Sequence, residues 1–517
     1  MDFLSNPISF TVTALAVIFV IYLTKFVVQL SSSDQKKRYY PVVATVFHQL
    51  LHFERLHDYM TQLSSRNKTY RLLDLSRSQI CTADPAIVEY VLKTNFANYG
   101  KGWFHHSILM ALLGDGIHTV DGGKWQHQRK ISSYEFSTKM LRDFSSVVFR
   151  NNAVKLAGIV SKAATSNQTI EVQDIFMKST LDAVFKVILG AELDSMCGTN
   201  EEGALFSKAF DEASAITVYR YVDVFWRINR FLNIGSEAKM RESIKVIDRF
   251  VYKFIRSKTE QGQELKHDSS MIQTKKVDLV SRLLEANETD PKYLKDFILS
   301  FIIAGKDTTA VALSWFFYMI CKYPLIQEKI AQEVKEATQM DIQNSSFEEF
   351  ANGITEDAVN KMHYLHATLT ETLRLYPAVP VDAKVCFSDD TFPDGFSVRK
   401  GDMITYQPYC MGRMKSLWGD DAEEFRPERW LDKDGIFQQE SPFKLTAFQA
   451  GPRICLGKEF AYREMKIFSA MLMGNFIFKL SDEQGPVNYK TMLTLHIDGG
   501  LHLCASHRWA CKSSRCL

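Results

Sequence analysis

The sequence lacks any pair of cysteines spaced as C-x-x-C, although its 517 residues include nine cysteines. Pairs of this kind are typical of zinc ribbons and thioredoxin-like redox motifs, so neither class is indicated. The scattered thiols favour a reducing compartment over a disulfide framework. Cys516 lies second from the end rather than fourth, which excludes a C-terminal prenylation box.

An excess of charge of either sign is also absent. Lys and Arg total 62, Asp and Glu total 60, and the formal net charge is +2. Without a long basic run, nothing indicates nucleic-acid binding. Gly114-Asp-Gly116 lacks the third glycine of a dinucleotide fingerprint, and Gly305-Lys306 lacks two further elements of a P-loop. The chain therefore shows no nucleotide site of its own and leaves no room for a flavin domain.

The N-terminus lacks basic residues ahead of a long apolar segment. Residues 8–30 are predominantly apolar, with Lys25 as their one charged residue, and the segment is long enough to span a bilayer. Three basic residues at 36–38 follow it, which by the positive-inside tendency keeps the rest of the chain cytoplasmic. A cleaved signal peptide is the alternative, but it would need a basic start and a shorter apolar core. We expect a membrane anchor over 1–30, a linker over 31–45, one large domain over 46–505 and a tail over 506–517.

Helical patterns dominate up to about residue 380, and short alternating runs such as 403–409 ("MITYQPY") indicate small strands after it. We therefore expect a mainly α fold with a minor β part. Residues 42–63 predict a helix, and the polar stretches 258–276 and 345–355 predict surface loops.

Residues 293–323 are apolar on nearly all sides, which is typical of a membrane span or of a helix buried in a large core. Lys306 and Asp307 lie in the middle of the segment, where charges would be costly in a membrane. The pattern favours a central core helix. Charged residues such as Lys306 and Asp307 within a buried apolar helix need a functional or structural reason.

One cysteine, Cys455, lies in a glycine-punctuated loop directly before a predicted helix, in "FQAGPRICLG" (448–457). A thiolate is a soft ligand for iron, and an axial thiolate on haem favours O–O cleavage. The N-terminus of the following helix would stabilise the thiolate. Taken alone, Cys455 could equally be a buried structural cysteine. Its neighbours suit a haem site: Gly451 and Gly457 allow a tight turn, Arg453 offers a cation for a haem propionate, and Phe448 can shield the sulfur from water.

The whole pattern, F-x-x-G-x-R-x-C-x-G, resembles the haem-ligand loop of the cytochrome P450 family. Two further segments in the family's order are Glu371-x-x-Arg374 and "FRPERW" (425–430), which contains Arg429. The resemblance implies that Glu371, Arg374 and Arg429 form a buried triad that fixes geometry. Taken alone, the Glu371–Arg374 pair would be read as a surface ion pair.

A third segment, Ala304 to Thr309 ("AGKDTT"), resembles the family's oxygen-activation motif on the long central helix. The resemblance implies that Asp307 relays protons, that the Thr308 hydroxyl bonds the oxygen, and that Gly305 leaves room for it. The alternative for Thr308 is a hydroxyl that bonds back to a helix carbonyl.

Trp125-x-x-x-Arg129 is similar to the family's helix that donates two propionate contacts, and Lys384 occupies a position where relatives often carry another such base. His127 and His366 are interpreted as ordinary histidines. Over residues 40–505 the resemblance implies the cytochrome P450 fold, haem b with Cys455 as axial ligand, and monooxygenase activity. It also implies NADPH–cytochrome P450 reductase as a separate electron source, and a single-pass protein of the endoplasmic reticulum membrane that faces the cytosol. The expected docking cations are Arg129, Lys130, Lys458 and Arg463.

Residues 114–146, 374–384 and 408–431 resemble the plant fatty-acid ω-hydroxylase branch. This implies hydroxylation of long-chain acyl groups at or near the terminal methyl, as for cutin, suberin or pollen-wall precursors. Other lipophilic substrates remain open. Reductase-independent rearrangement of hydroperoxides and a non-catalytic haem sensor are alternatives against which the intact Asp307-Thr308 pair counts. Each channel-lining candidate could equally be simple core: Leu112, Leu113, Phe301, Ala304, Val379 and Val381.

Overall fold

The computed structural model describes Thr24 and residues 37–73, 78–137, 139–198, 200–267, 278–285, 287–482, 485 and 487–509. The expected anchor over 1–30 therefore lies, apart from Thr24, outside the described residues. Within the described ranges one helical stretch, Pro291–Lys322, is long and apolar enough to cross a membrane, and most of it is buried inside the fold. It is the segment that the sequence predicts as a central core helix.

Helices make up most of the described chain, which confirms the expected mainly α class. In chain order they are α1 (Val46–Leu51), α2 (Leu56–Arg66), α3 (Pro85–Glu89), α4 (Gly102–Leu113), α5 (Gly122–Ser137), α6 (Lys139–Ser166), α7 (Val172–Val184), α8 (Glu201–Tyr219), α9 (Trp226–Leu232), α10 (Gly235–His267), α11 (Leu279–Glu285), α12 (Pro291–Gly305), α13 (Asp307–Lys322), α14 (Pro324–Thr338), α15 (Phe347–Gly353), α16 (Glu356–Lys361), α17 (His363–Leu375), α18 (Pro408–Met411), α19 (Lys415–Trp418) and α20 (Lys458–Asn475).

The strands form one larger and three small sheets. They are β1 (Val42–Thr45), β2 (Thr69–Leu73), β3 (Ser78–Thr82), β4 (Tyr99–Gly100), β5 (Thr169–Glu171), β6 (Asp382–Cys386), β7 (Asp390–Thr391), β8 (Ser397–Val398), β9 (Met403–Tyr406), β10 (Phe476–Leu480), β11 (Tyr489–Lys490), β12 (His496–Ile497) and β13 (His502–His507). The six-stranded sheet has the order β1-β2-β3-β9-β6-β4, and a three-stranded sheet has the order β10-β13-β5. The pairs β1–β2 and β3–β9 are parallel, whereas β6–β9 is antiparallel.

Two expectations about local structure are wrong. Residues 42–63 contain β1 and two helices rather than one helix, because β1 finds a partner in β2, about 25 residues on. Residues 345–355 contain α15, which Ser346 and Glu349 cap reciprocally. That S-x-x-E pattern is a helix-start signal that the sequence already carries. Of the predicted loop over 258–276, residues 258–267 continue α10, and the rest lie outside the described residues.

The packed fold also extends past both expected boundaries of the large domain. Strand β1 belongs to the expected linker over 31–45, and Arg38 forms a bridge with Phe396. At the other end, β13 reaches His507, and the Trp509 indole donates to the Gly474 carbonyl at 3.1 Å. Backbone hydrogen bonding rather than composition sets these limits, so the boundaries at 46 and 505 are corrected outward.

The central helices α12 and α13 are buried along most of their length and pack against α7 and α17. Helix α12 begins where Asp290 accepts the N–H groups of Lys292 and Tyr293, with Pro291 at its first position. The indole of Trp315 stacks on Tyr376 at 4.0 Å between centroids and donates to the Leu495 carbonyl. These contacts hold α13 against the chain that follows α17, and α20 packs on α13 from the Cys455 loop.

Candidate active site

The loop that carries Cys455 is folded back on itself just before α20. The Cys455 N–H donates to the Phe448 carbonyl at 2.9 Å, and the Ile454 N–H donates to the Gly451 carbonyl at 3.0 Å. Gly451 has φ of +66°, and a Cβ there would meet the Leu92 carbonyl oxygen at 1.9 Å. A side chain at 451 would therefore both strain the turn and push the loop away from its support.

The environment of the Cys455 sulfur combines burial with nearby positive charge. Burial raises the pKa of the Cys455 thiol, while the Gly457 N–H and the cations Arg129 and Lys458 act to lower it. The residue is nevertheless exposed by surface area. Cys455 is thus surrounded closely enough for burial to raise its pKa, while part of its surface stays open to a ligand. At Gly457 an added Cβ would meet nothing closer than the Cys455 Sγ, at 3.9 Å, so this side of the loop is open.

Arg453 and Trp125 lie together at one edge of the loop. The Arg453 guanidinium carbon lies 4.5 Å from the centroid of the buried Trp125 ring. One Arg453 NH2 group donates to the Asp121 carboxylate at 2.6 Å and to the Val120 carbonyl at 2.9 Å. The Arg453 Nε is buried and has no hydrogen-bond partner. A cation with a spare, desolvated N–H calls for an anionic ligand.

A second group of charges surrounds Lys384, which is 1% exposed. The Lys384 Nζ lies 2.5 Å from Asp382 Oδ2, the Lys101 Nζ lies 2.8 Å from Asp382 Oδ1, and the Tyr406 hydroxyl donates to Asp382 at 2.7 Å. Burial lowers the pKa of Lys384 to about 7; Lys101 and Arg453 lower it further, and Asp382 acts to raise it. Burial acts to raise the pKa of Asp382, but Lys101 and Lys384 hold it well below the usual range.

These residues fit a haem. The thiol of Cys455 is accessible on a turn that backbone contacts hold in place. Arg129 is half-buried and lies near this thiol: burial lowers the pKa of Arg129, and a Cys455 thiolate acts to raise it. Arg453 keeps an unsatisfied buried N–H, and Lys384 is a buried lysine whose cationic form a propionate would stabilise.

Glu371 and Arg374 form a closed network on α17, and both side chains are fully buried. Arg374 Nε and one NH2 group each bond Glu371 at 2.7 Å, and its remaining donors reach the carbonyls of Gly412, Ala422 and Glu424. Glu371 also accepts the N–H of Arg426 and the indole of Trp430. Arg429 Nε lies 3.5 Å from Glu371 Oε1. The structure thus brings together the three residues that the sequence predicts as a triad.

The central helix is interrupted at Lys306, between the end of α12 and the start of α13. From Asp296 to Phe317 every residue is buried except Ala304, Gly305 and Thr308. These three positions share one face of the helix. The Thr308 hydroxyl donates to the Ala304 carbonyl, which is the alternative of a hydroxyl that bonds back to a helix carbonyl. Thr308 nevertheless lies on the accessible face of the helix. Asp307 is 1% exposed and accepts a bond from Lys306 at 2.9 Å.

The structure gives a reason for the glycine at position 305 that differs from the expected one. A Cβ at 305 would meet Val184 Cγ2 at 2.4 Å. The glycine therefore allows α7 to approach the central helix closely, and the space that was expected for oxygen is filled by Val184 on that side.

The six predicted channel residues divide into two groups. Leu112, Leu113 and Phe301 are buried in the main core cluster, where the Phe301 ring stacks on Phe136 at 5.2 Å. Ala304, Val379 and Val381 are partly accessible, with Val381 38% exposed. The second group lies on the accessible side of the central helix or directly after α17. His366 is partly buried and stacks on Tyr462, and His127 is exposed.

Sequence reasoning missed the carboxylates of this site: Asp121, Asp211 and Asp382. Asp121 and Asp211 contact Arg453 and Lys306 from distant parts of the chain, whereas Asp382 contacts the nearby Lys384. Only Asp382 carried a usable signal, since it lies two residues before Lys384 on the same face of β6.

Comparison with known proteins agrees with this arrangement. The cytochrome P450 family model matches residues 38–504. Cytochrome P450 704C1 from Pinus taeda is 48% identical over 96% of this chain and 97% of its own length. Cytochrome P450 704B1 from Arabidopsis thaliana is 43% identical over 91% and 94%. Cytochrome P450 94A1 from Vicia sativa is 35% identical over 84% and 82%.

The mainly helical fold, the accessible thiol in its tight loop and the match to the family model together define a haem-thiolate protein. The chain belongs to the cytochrome P450 family and is a monooxygenase of that family. Membership implies haem iron with a thiolate ligand, a separate redox partner and a lipophilic substrate.

Proposed function

We propose that this protein hydroxylates long-chain fatty acids at or near the terminal methyl group. One observation carries the proposal: between Asp296 and Phe317 the central helix is accessible only at Ala304, Gly305 and Thr308, which lie in the segment that carries the acid–alcohol pair. The similarity of residues 114–146, 374–384 and 408–431 to the plant ω-hydroxylase branch supports the substrate class. The accessible members of the predicted channel set, Ala304, Val379 and Val381, are small or aliphatic, which suits an alkyl chain and not a polar substrate.

A bound haem supplies dioxygen activation, and the protein residues supply the ligand, the orientation and the protons. Cys455 would supply the thiolate ligand of the haem iron, and the Gly457 N–H and the positive charge of Arg129 would stabilise that thiolate. Trp125, Arg129, Arg453 and Lys384 would hold the haem propionates. Phe448 shields the sulfur, and its ring lies 5.3 Å from that of Tyr462. Glu371, Arg374 and Arg429 fix the chain beneath the loop.

Asp307 and Thr308 manage protons on the opposite side. The Thr308 hydroxyl donates to the Ala304 carbonyl in this structure and can turn to a reacting oxygen by rotation about a single bond. Asp307 lies one residue away and supplies the acid.

We further propose that electrons come from NADPH through NADPH–cytochrome P450 reductase. The docking surface would be the Cys455 side of the protein, where Arg129, Lys130 and Lys458 contribute positive charge. Arg463 is less available, because it lies 3.5 Å from Glu356. The apolar segment over 8–30 would anchor the protein in the endoplasmic reticulum membrane with the catalytic domain on the cytosolic side.

The test is a product assay. Microsomes that contain this protein, a plant reductase and NADPH receive saturated and unsaturated fatty acids of graded chain length, and mass spectrometry identifies the products. A terminal or near-terminal hydroxy acid that requires NADPH is expected. A thiolate-type carbon monoxide spectrum without any hydroxy acid would reject the fatty-acid assignment, and loss of that spectrum in Cys455→Ser is expected if Cys455 is the ligand.

A matched pair of variants tests the assignment of Thr308. Thr308→Ala should raise the peroxide released per NADPH, because a proton-managing hydroxyl is lost. Ser314→Ala is the control: Ser314 lies on α13 and makes the same kind of back-bond, to Ala310 at 2.7 Å, from a fully buried position. Equal coupling in the two variants would remove Thr308 from the mechanism.

A further inference from the structure

Lys306 is a completely buried lysine at the interruption of the central helix. Its Nζ lies 2.9 Å from Asp307 Oδ1 and 2.6 Å from Asp211 Oδ1 on α8. It also lies 5.8 Å from the Phe210 ring centroid. A lysine of 0% exposure needs such partners, because an unpaired buried ammonium is strongly disfavoured.

The backbone at Lys306 is held as firmly as its side chain. The Thr180 hydroxyl on α7 donates to the Lys306 carbonyl at 2.9 Å. That carbonyl also accepts the Ala310 N–H at 3.3 Å. The interruption therefore fixes where the Lys306 side chain leaves the helix, and the ammonium points to α8.

The three charged groups differ in access. Asp307 is 1% exposed, whereas the Asp211 side chain is 39% exposed. Burial raises the pKa of Asp211 against the effect of Lys306, and Asp307 adds to the rise. Part of the Asp211 carboxylate is thus accessible, although burial raises its pKa. The two carboxylates raise the pKa of Lys306 above the ordinary lysine value against the effect of burial, so Lys306 stays charged.

One further titratable group faces the same cluster. His496 on β12 is buried, and its Nε2 has no hydrogen-bond partner. Burial lowers the pKa of His496, and the charges of Asp307, Asp211 and Lys306 all act on it. Four titratable side chains from α8, the central helix and β12 thus meet at the acid of the acid–alcohol pair.

We propose that Lys306 is a positioning residue that holds the Asp307 carboxylate for proton delivery, and that Asp211 fixes Lys306 in this role from α8. This inference rests on the proposed function, because it concerns the supply of protons to that reaction. Lys306 transfers no proton itself. It holds the Asp307 carboxylate in place through their 2.9 Å contact, so that this carboxylate can pass a proton on beside Thr308.

The geometry also links the packing of α8 to the charged cluster. Helix α8 packs against α10 and against α4, which carries Leu112 and Leu113. Any displacement of α8 therefore moves Asp211 relative to Lys306, and a changed Lys306 position acts on Asp307 through a 2.9 Å contact.

The experiment compares Lys306→Met, Lys306→Arg and the double variant Lys306→Met/Asp211→Asn in the reductase-coupled microsomes. The double variant removes one cation and one anion, which protects folding from an uncompensated carboxylate pair. Holoprotein is counted by the carbon monoxide spectrum, so that all rates are expressed per folded enzyme. The measured quantities are peroxide released per NADPH, product per NADPH and the solvent deuterium isotope effect on turnover.

We expect about tenfold lower coupling of NADPH to product in Lys306→Met and in the double variant, with a larger solvent isotope effect, because a proton step becomes limiting. Lys306→Arg should restore most of the coupling, since a guanidinium can bond both carboxylates. Hydrogen peroxide, used in place of NADPH and dioxygen, brings its own protons and should give wild-type product rates in all variants. A purely structural role would lower holoprotein yield while leaving coupling and isotope effect unchanged, and that result overturns the inference.

The failure of the proposed function is distinguishable from the failure of this inference. If the wild-type protein forms no hydroxy acid, the fatty-acid assignment fails. The ratio of peroxide to NADPH can still be compared between wild type and Lys306→Met without any product. A raised ratio in Lys306→Met would support the role of Lys306, and equal ratios would refute it.

Discussion

Two buried charge clusters, one around Glu371 and Arg374 and one around Arg453 and Lys384, flank the Cys455 loop. They differ in how far protein groups satisfy their hydrogen bonds. In the first, all donors of Arg374 and both oxygens of Glu371 bond protein groups. In the second, Arg453 keeps a buried Nε without a partner, and Lys384 has a pKa of about 7 despite the adjacent Asp382. The Glu371–Arg374 pair is therefore complete without a ligand, although the neighbouring Arg429 also has a buried Nε without a hydrogen-bond partner. The Arg453–Lys384 cluster differs in charge, since with Lys101 it holds three cations against the carboxylates of Asp121 and Asp382.

The difference separates residues that hold the fold from residues that hold a ligand. A closed network gives geometry, and its disruption leaves a buried charge without a partner. An open network is less favourable in the absence of a ligand, and an anion that enters it gains desolvated, charge-assisted hydrogen bonds. The two clusters should therefore respond differently to substitution.

Removal of the Glu371 charge should have the largest effect. Glu371→Gln keeps the shape but leaves the buried Arg374 guanidinium without a counter-charge, at a loss of about 3–5 kcal/mol of stability. We expect almost no protein with a thiolate-type carbon monoxide spectrum. Glu428→Gln, which breaks a largely exposed pair with Lys329, serves as the control and should fold normally. A normal yield of Glu371→Gln would show that the first cluster is not structural.

Arg453→Met should affect haem retention more than folding. Methionine keeps apolar contact with the Trp125 ring but removes the charge-assisted donors, which are worth about 1.5–3 kcal/mol each. Haem transfer to an excess of an apo-haem acceptor should become about tenfold faster or more. The thermal midpoint of the haem-free protein should stay the same or rise. A lowered midpoint with unchanged haem transfer would place Arg453 in the structural class.

Lys384 should make haem retention depend on pH. Its pKa is about 7 before an anion binds, and a bound propionate raises it. Affinity is then fully present below pH 7 and falls as the pH rises above 7, because the free protein must first take up a proton. Haem transfer rates across pH 6 to 9 should show this dependence in the wild-type protein and lose it in Lys384→Met. Parallel profiles for the two proteins would remove Lys384 from the propionate edge.

His366 should give the smallest effect, on stability alone. Burial lowers its pKa to about 3, and Lys466 and Lys458 add to the shift. The folded state therefore keeps His366 neutral, while the unfolded chain takes up a proton below about pH 6.5. Stability is lost as the pH falls from 6.5 toward 3, at up to about 1.4 kcal/mol per pH unit.

His366→Phe keeps an aromatic ring beside Tyr462 and should flatten this part of the profile. The comparison is made by chemical denaturation of the two proteins at pH 5 and pH 7. A difference in stability that is the same at both pH values would mean that His366 is already protonated in the folded protein. The folded protein would then accept a positively charged His366 on the Cys455 side, where the buried charges of the Glu371 cluster are otherwise all paired.

The residues that the sequence could identify are those in short, ordered patterns. Cys455, Glu371, Arg374 and Thr308 each lie in a segment whose spacing carries the information locally. The core position of residues 293–323 was likewise predictable, because a helix apolar on nearly all sides must be buried. The structure places that segment at the centre of the fold.

The carboxylates of the site could not be predicted in the same way. Asp121 meets Arg453 and Asp211 meets Lys306 only after distant segments have packed. A single aspartate on a helix or in a turn has no pattern that distinguishes it from a solvated residue. Strand β1 was missed for a related reason, since its four residues extend only because β2 lies beside them.

The order of strands in the larger sheet has a consequence for synthesis of the chain. Ile80 of β3 pairs with Ile404 of β9, and β13 closes the small sheet from the last part of the fold. At a translation rate of about 5–20 residues per second, β3 waits on the order of half a minute for its partner. During that time β1, β2 and β3 present an unpaired edge, which is a site for wrong association. That edge stays open to pairing with other chains until β9 has emerged.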